Sequence, residues 1–142
     1  MTNNTFEVKL MTMEYYAQVY KIWSNTQGIG INNSDSEESI ESYLERNPNL
    51  SFVCCQDDLI VGTILCGHDG RCGFIHHACV LPEYRGQGIG RILVEKALEG
   101  LKKQGIDKCH LLVFADNEAG NALWSKLGWK KRSDLNIYSK QI

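Results

Sequence analysis

The 142-residue sequence has little proline, no long apolar run and no excess of positive charge. Two prolines and the absence of low-complexity tracts argue against a disordered or collagen-like chain. No stretch approaches the roughly 20 apolar residues of a membrane-spanning helix. Because 15 Lys and Arg face 17 Asp and Glu, the formal net charge is −2 and supplies no general attraction for nucleic acid or an anionic membrane. We therefore expect neither as a partner, and any anion site must be local.

The six cysteines include no Cys-x-x-Cys pair of the kind that binds zinc or forms a redox site. Cys54 and Cys55 are adjacent in sequence, so they are expected to point to opposite faces of a strand. Reduced, structural thiols and no bound metal are the expectation, as in a cytoplasmic protein. Residues 1–7 lack the basic and apolar regions of a signal peptide, which also favours the cytoplasm.

The length and the 43% apolar content fit one domain over residues 1–142, built from alternating short strands and helices. Residues 34–37 have the pattern of a capping box, and residues 56–58 have the pattern of a hairpin turn. The predicted order is a strand at 6–10, a helix at 11–23, a short helix that follows 34–37 and ends before 47, strands at 50–55, 59–66 and 72–81, a helix at 88–104, a strand at 107–115, a helix from 117 to 128, and a final hairpin at 129–130 and 135–138.

The strand at 72–81, the helix at 88–104 and the strand at 107–115 are expected to form a right-handed crossover between parallel strands. The helix has the clearest pattern, with an apolar stripe opposite a charged face. Residues 109–114 form a nearly continuous apolar run, which is typical of a strand covered on both faces.

The turn from Arg85 to Arg91 contains three glycines and leads into the amino end of that helix. Helix starts expose unpaired N–H groups and carry roughly +0.5 charge, so a phosphate can bind there where no side chains intervene. Arg85 and Arg91 add cationic donors, which suits a pyrophosphate. The alternative is a glycine-rich turn needed only for tight strand-to-helix packing.

Two other phosphate-binding motifs do not fit this turn. A P-loop requires Gly-Lys-Ser or Gly-Lys-Thr, and none follows. A dinucleotide-binding turn has a different glycine spacing, and its ribose-binding acid lies at the carboxyl end of the next strand, whereas Asp107 starts that strand.

The segment Arg85-x-x-Gly88-x-Gly90, preceded by residues 80–84, resembles the acetyl-CoA signature of the GNAT superfamily of N-acetyltransferases. A later segment is similar to that family's Asn…Leu-Tyr…Leu-Gly-Phe motif, and the element order matches over essentially the whole chain. The resemblance implies an α/β (α+β) fold of three layers, with a mixed, mostly antiparallel sheet whose parallel central strands splay apart. The later segment consists of Asn117, Ala122-Leu123-Trp124 and Leu127-Gly128-Trp129.

The resemblance also implies acetyl-CoA as cosubstrate and direct transfer of its acetyl group to a primary amine of a small molecule or peptide. Main-chain amides of the turn would hold the pyrophosphate, and the end of the preceding strand would pair with the pantetheine arm. Asn117 is equally consistent with a plain helix cap. The residues implied in cofactor binding are Cys79, Val80, Leu81, Arg85, Gly86, Gln87, Gly88, Ile89, Gly90, Arg91, Asn117 and Trp124.

Two positions depart from the family pattern. Trp124 stands where many members have a tyrosine that protonates the leaving thiolate, and an indole N–H cannot act as that acid. Leu112 stands where some members have a catalytic glutamate. These departures motivate a second hypothesis, an acyl-CoA-binding sensor without catalysis. A third is an interaction module without a ligand.

His76 is the best remaining candidate for the base. The period of two places it on the same strand face as Val80 and turns His77 the other way, and arylalkylamine acetyltransferases have a histidine at the matching step. His110 is a weaker candidate, and either histidine could instead be a core or rim side chain. Edge strands often pair in this family, so a homodimer is expected. The first-helix and last-strand aromatic residues that would line the acceptor pocket, or fill the core, are Tyr20, Trp23 and Tyr138.

Overall fold

The structure, a computed structural model, describes residues 5–142, so the first four residues of the segment examined for a signal peptide lie outside it. The chain divides by its internal contacts into two compact units, one that ends at Leu112 and one from Val113 to Ile142. The first unit contains β1 (Glu7–Leu10), α1 (Tyr16–Ser24), α2 (Glu37–Arg46), β2 (Phe52–Gln56), β3 (Leu59–His68), β4 (Gly73–Val80), α3 (Ile89–Lys103) and β5 (Cys109–Leu111). The second contains α4 (Glu118–Lys126). Short 3-10 turns occupy Met13–Tyr15, Asn33–Asp35 and Pro82–Tyr84.

The five strands form one sheet in the order β1-β2-β3-β4-β5. Every neighbouring pair is antiparallel except β4 and β5, which are parallel and are joined through α3. The predicted hairpin between β2 and β3 is confirmed, with Asp57 in the left-handed region at φ 55°. The predicted mixed, mostly antiparallel sheet is therefore confirmed.

Helices cover both faces of the sheet, as adjacent residues of β3 show. Trp23 of α1 donates its indole N–H to the hydroxyl of Thr63 over 3.1 Å. The neighbouring Gly62 faces α3, since a Cβ placed there would lie 3.0 Å from both Ile89 and Leu93. Successive strand residues point to opposite faces, so α1 and α3 lie on opposite sides. The three-layer expectation is confirmed.

The start of α2 differs from the predicted capping box over residues 34–37. Asn32 instead accepts the N–H of the residue two positions later at 2.8 Å, and the carboxylate of Asp35 accepts the N–H of Asn32 at 3.1 Å. Ser36 then caps α2 by accepting the N–H three residues later at 3.2 Å. Several residues here have side chains that can cap, and the 3-10 turn before α2 decides which one does so.

The carboxyl-terminal strands are shorter than predicted. β5 is three residues long and half-buried, and Leu112 and Phe114 are 61% and 56% exposed, so the apolar run is not a strand covered on both faces. Residues 129–142 contain no strand, and the predicted hairpin is wrong. A strand requires a partner that pairs its N–H and C=O groups, and a short alternating pattern does not supply one. β5 is therefore an edge of the described sheet rather than a central strand.

Candidate functional site

The turn between β4 and α3 presents bare backbone. Gly86 and Gly88 have φ values of +80° and +83°, in the left-handed region where a side chain causes strain. A Cβ at either position would meet no heavy atom within 4 Å. Ile89, by contrast, is buried and anchors the turn against the sheet. The glycines thus leave an open surface over the start of the helix.

The start of α3 has no side-chain cap at Gly88. Within residues 5–142, the backbone N–H groups of residues 86–91 donate to no protein acceptor, and the first helical bond comes from Ile92 to the carbonyl of Gly88 at 3.1 Å. Unpaired donors at the positive end of a helix dipole bind anions. The residues present therefore fit the pyrophosphate of a nucleotide cofactor.

One arginine of the turn has an intramolecular partner. Arg85 donates its Nε–H to the carbonyl of Val80 over 3.0 Å. This bond ties the end of β4 to the start of the turn. It also occupies one backbone group that the resemblance assigns to pantetheine. Arg91 is exposed in the first turn of α3.

β4 is paired with β5 along only part of its length. The parallel ladder runs from Gly73 opposite Cys109 to Ile75 opposite Leu111 and then stops. From residue 76 to residue 80, the corresponding edge of β4 pairs with no strand of the described chain. An unpaired strand edge can bind an extended molecule as if it were a further strand.

A bulge interrupts β4 within this unpaired stretch. Thr63 lies opposite Cys79, but Leu65 lies opposite His76, so β4 holds one residue more than β3 across this interval. The extra residue is accommodated at His77, whose φ is +48°. Such a bulge shifts the alternation of side chains by one position.

Because of this shift, His76 and His77 lie on the same face of the sheet. The His76 ring lies 6.1 Å from that of Tyr43 in α2, and the His77 ring lies 4.8 Å from that of Trp23 in α1. Val80, on the other face, approaches the start of α3. The expectation that His76 shares a face with Val80 and that His77 points away is wrong, since strict alternation ends at the bulge.

Among residues 5–142, no hydrogen bond orients the ring of either histidine that was predicted as a base. His76 is exposed, yet the protein atoms around its ring lower its pKa by desolvation, and His77 lowers it further. His110 packs against Phe74 with 5.4 Å between ring centroids. Neither ring has a hydrogen-bond partner among residues 5–142.

His77, which the sequence did not single out, has a buried partner. Its Nε2 lies 2.6 Å from Oδ1 of Asp35, and the two side chains are 15% and 6% exposed. Asp35 belongs to the 3-10 turn before α2, 42 residues away in sequence. No local pattern could have paired them, because the only signal at Asp35 was its capping chemistry.

Two neighbours hold His77 in place. Thr63 donates its hydroxyl to the His77 carbonyl over 3.0 Å and accepts the indole N–H of Trp23. Trp23 is fully buried, so this predicted pocket residue belongs to the core beneath His77. Tyr20, another predicted pocket residue, is 36% exposed.

Cys79 lies next to Thr63. Burial raises the pKa of the Cys79 thiol, while the hydrogen bond between this thiol and Thr63 lowers it.

The second unit contains the remaining predicted site residues. Asn117 accepts the backbone N–H of Gly120 at 3.0 Å, so its predicted role as the cap of α4 is confirmed. Trp124 packs edge-on against Trp129, with 5.2 Å between ring centroids. Tyr138 is 92% exposed. Contacts of Asn117 and Trp124 with a cofactor stay predictions.

Residues 5–142 contain no group of three or more His, Cys, Asp or Glu side chains arranged to hold a metal ion. No helix in this part of the chain is both long and apolar enough to cross a membrane.

Burial raises the pKa of Cys54 to about 11, so this thiol is protonated at neutral pH.

The acetyltransferase (GNAT) family matches this chain over residues 16–129. An acetyltransferase of Pectobacterium atrosepticum is 30% identical over 136 residues, which cover 96% of this chain and 96% of that protein. A predicted acetyltransferase of Clostridium acetobutylicum, solved with acetyl-CoA, has a TM-score of 0.73 at 16% identity, and the match covers 95% of this chain and 96% of that protein. The ribosomal-protein-S18-alanine N-acetyltransferase of Escherichia coli has a TM-score of 0.72 at 22% identity, covering 91% and 80%. The chain therefore belongs to the acetyltransferase (GNAT) family.

Proposed function

We propose that the protein is an N-acetyltransferase that moves the acetyl group of acetyl-CoA directly to a primary amine of a small molecule or peptide. The observation that carries this proposal is the uncapped start of α3, where backbone donors over residues 86–91 face open space beside the unpaired edge of β4. Family membership supports acyl transfer, and the amine acceptor is the finer part of the proposal.

In this proposal the main-chain N–H groups of residues 87–91 bind the pyrophosphate, with Arg85 and Arg91 adding positive charge. The backbone of residues 79–81 binds the pantetheine arm along the open edge of β4. Acetyl-CoA supplies an activated acyl carbon, and the protein supplies alignment. Holding two reactants at attack distance is worth about 7–11 kcal/mol of the barrier.

The acceptor amine must also lose a proton. An amine with pKa ~10.4 is neutral in roughly one molecule per thousand at pH 7, and forming that neutral species costs about 4–5 kcal/mol. A nearby base reduces this cost. His76, whose lowered pKa keeps it neutral and able to accept a proton, and His110 are the bases suggested by the sequence.

The family resemblance also supports expectations about the type of protein, its location and its partners. Residues 61–63, 67–70 and 82–86 resemble those of the small bacterial acetyltransferase YpeA. We propose a cytoplasmic enzyme that uses no metal and binds neither nucleic acid nor membrane. A homodimer is expected, and light scattering at several protein concentrations would test it.

Two measurements on the wild-type chain test the function. Calorimetry should detect binding of CoA and acetyl-CoA. A thiol-reactive dye should report CoA release when acetyl-CoA is mixed with phenethylamine, spermidine, kanamycin or a peptide beginning with alanine. If the protein binds acetyl-CoA but releases no CoA with any of the amines, the acyl-CoA sensor is favoured. If it neither binds acetyl-CoA nor releases CoA, an interaction module is favoured.

A further inference from the structure

The histidine at the bulge of β4 and its buried carboxylate form a pair that the function described so far does not use. Asp35 accepts from His77 through Oδ1 at 2.6 Å and from the backbone of Asn32 through Oδ2 at 3.1 Å. Both carboxylate oxygens thus have a donor, and the side chain is only 6% exposed. The carboxylate is held by its own turn and directed at one ring nitrogen.

This contact determines which nitrogen of His77 is left to accept a proton. A carboxylate only accepts hydrogen bonds, so in the neutral imidazole Nε2 carries the hydrogen and Nδ1 has the lone pair. Nδ1 has no hydrogen-bond partner within residues 5–142. Since 15% of the side chain is exposed, the ring is not sealed in the core. The pair therefore presents one basic nitrogen, oriented by a buried acid.

The backbone conformation of His77 is unfavourable for a residue with a side chain. Its φ of +48° lies in the left-handed region, which such residues seldom occupy. The hydrogen bond from Thr63 to the His77 carbonyl and the packing of Trp23 on the ring hold it there. Strain maintained by surrounding contacts is found at functional sites more often than elsewhere.

The position of the bulge places His77 near the proposed path of the acyl group. His77 follows the last β4–β5 pair, Ile75 with Leu111, by two residues. The open edge runs from there to Val80, and the glycine turn follows. A cofactor arm that enters at the turn and runs along this edge carries its thioester towards the bulge.

We propose that His77 is the base that takes a proton from the acceptor amine and that Asp35 positions it, an inference that rests on the proposed function. The ammonium form of the substrate gives one proton to Nδ1 of His77, and the neutral nitrogen attacks the thioester carbonyl. A C–N bond forms, the C–S bond breaks, and CoA leaves as a thiolate. The nitrogen then gives its second proton to that thiolate, and His77 returns its proton to solvent.

The test uses whichever amine of the panel the wild-type enzyme acetylates. The variant H77Q keeps an N–H that can bond to Asp35 but has no basic nitrogen. It should lower kcat by about 100-fold or more, the effect of losing a general base, while KM for the amine and Kd for acetyl-CoA change by less than about threefold. In H77G, added imidazole should restore at least about tenfold of the lost rate.

Asp35 is tested by a conservative change. D35N keeps one acceptor oxygen, replaces the other with an amide group that can only donate, and removes the charge that fixes the His77 ring. It should lower kcat by about tenfold or more with KM unchanged. S36A is the matched control, because it removes the neighbouring cap of α2 and touches neither member of the pair. It should leave kcat within about twofold of the wild type.

Several outcomes would overturn the inference. H77Q that folds, as judged by circular dichroism, and keeps more than half of kcat would do so. A larger loss in H76A than in H77Q would transfer the role to His76. Parallel losses in D35N and S36A would indicate a purely structural role. If the wild-type enzyme acetylates no amine, the proposed function fails first and this inference with it.

Discussion

The glycine turn and the β4 bulge are built in opposite ways. The turn over residues 86–91 is contiguous in sequence, and its chemistry resides in backbone N–H groups and the helix dipole. The bulge site joins His77 to Asp35 across 42 residues, and its chemistry resides in side chains. A site made of consecutive backbone groups can be recognised from glycine spacing, whereas a site made of distant side chains depends on how the strands are registered.

A variant of the turn and a variant of the bulge should therefore impair the protein in different ways. Damage to the turn should weaken cofactor binding, because the proposed contacts to the pyrophosphate would be lost. Damage to the bulge should slow the chemical step or lower stability while the turn still binds.

The largest effect is expected for Gly88→Glu. The side chain places bulk and negative charge where six consecutive residues, 86–91, have N–H groups with no acceptor among residues 5–142. The affinity for CoA should therefore fall by about 100-fold or more, roughly 2.7 kcal/mol. Calorimetry with CoA measures this. Gly105→Glu is the control, because Gly105 ends the same helix at the same φ of +83° and also has open space around it. If both variants bind CoA equally well, the turn is not the phosphate site.

A smaller effect is expected for Thr63→Val, which tests the support of the bulge. The change keeps the shape but leaves the indole N–H of Trp23 and the carbonyl of His77 without this partner. Losing such partners in a buried site costs about 1–3 kcal/mol, which urea denaturation would detect as a lower free energy of unfolding. Binding of CoA should persist in the folded variant.

The control for Thr63 is its neighbour on the other face of β3. Ile64→Val removes one methylene from the buried core and should cost about 0.5–1.5 kcal/mol. A Thr63→Val enzyme no less stable than Ile64→Val, with an unchanged rate, would show that the bulge does not depend on this hydroxyl.

The smallest effect is expected at the start of α2. Ser36 caps the helix, so Ser36→Ala should lower the free energy of unfolding by about 1 kcal/mol. Ser34, which the sequence pattern favoured, should contribute only a few tenths of that amount when replaced by alanine. Equal losses in the two variants, measured by urea denaturation, would contradict the observed cap.

Much of the fold could be predicted because its signals are local. The apolar stripe of α3 and the β2–β3 hairpin depend on residues a few positions apart, and both are confirmed. The predicted hairpin of residues 129–130 and 135–138 had similar local signals, but those residues form no strand. Alternation describes what a strand can bury and does not say whether a partner edge is present.

The histidines show the same limit within the candidate site. Strict alternation put His76 and His77 on opposite faces, and one additional residue in β4 brought them to the same face. That residue is visible only in the pairing of β4 with β3. Trp23 was likewise recognised as an aromatic residue of the first helix, but its position beneath His77 follows from packing.

Glycine spacing and flanking arginines were sufficient to predict an open turn at the start of α3, because backbone donors at a helix start need only neighbours in the chain to be exposed. The approach of Asp35 to His77 was decided by tertiary structure. It required the 3-10 turn before α2 to pack over the sheet and β4 to accommodate a bulge, and both result from contacts among residues far apart in sequence.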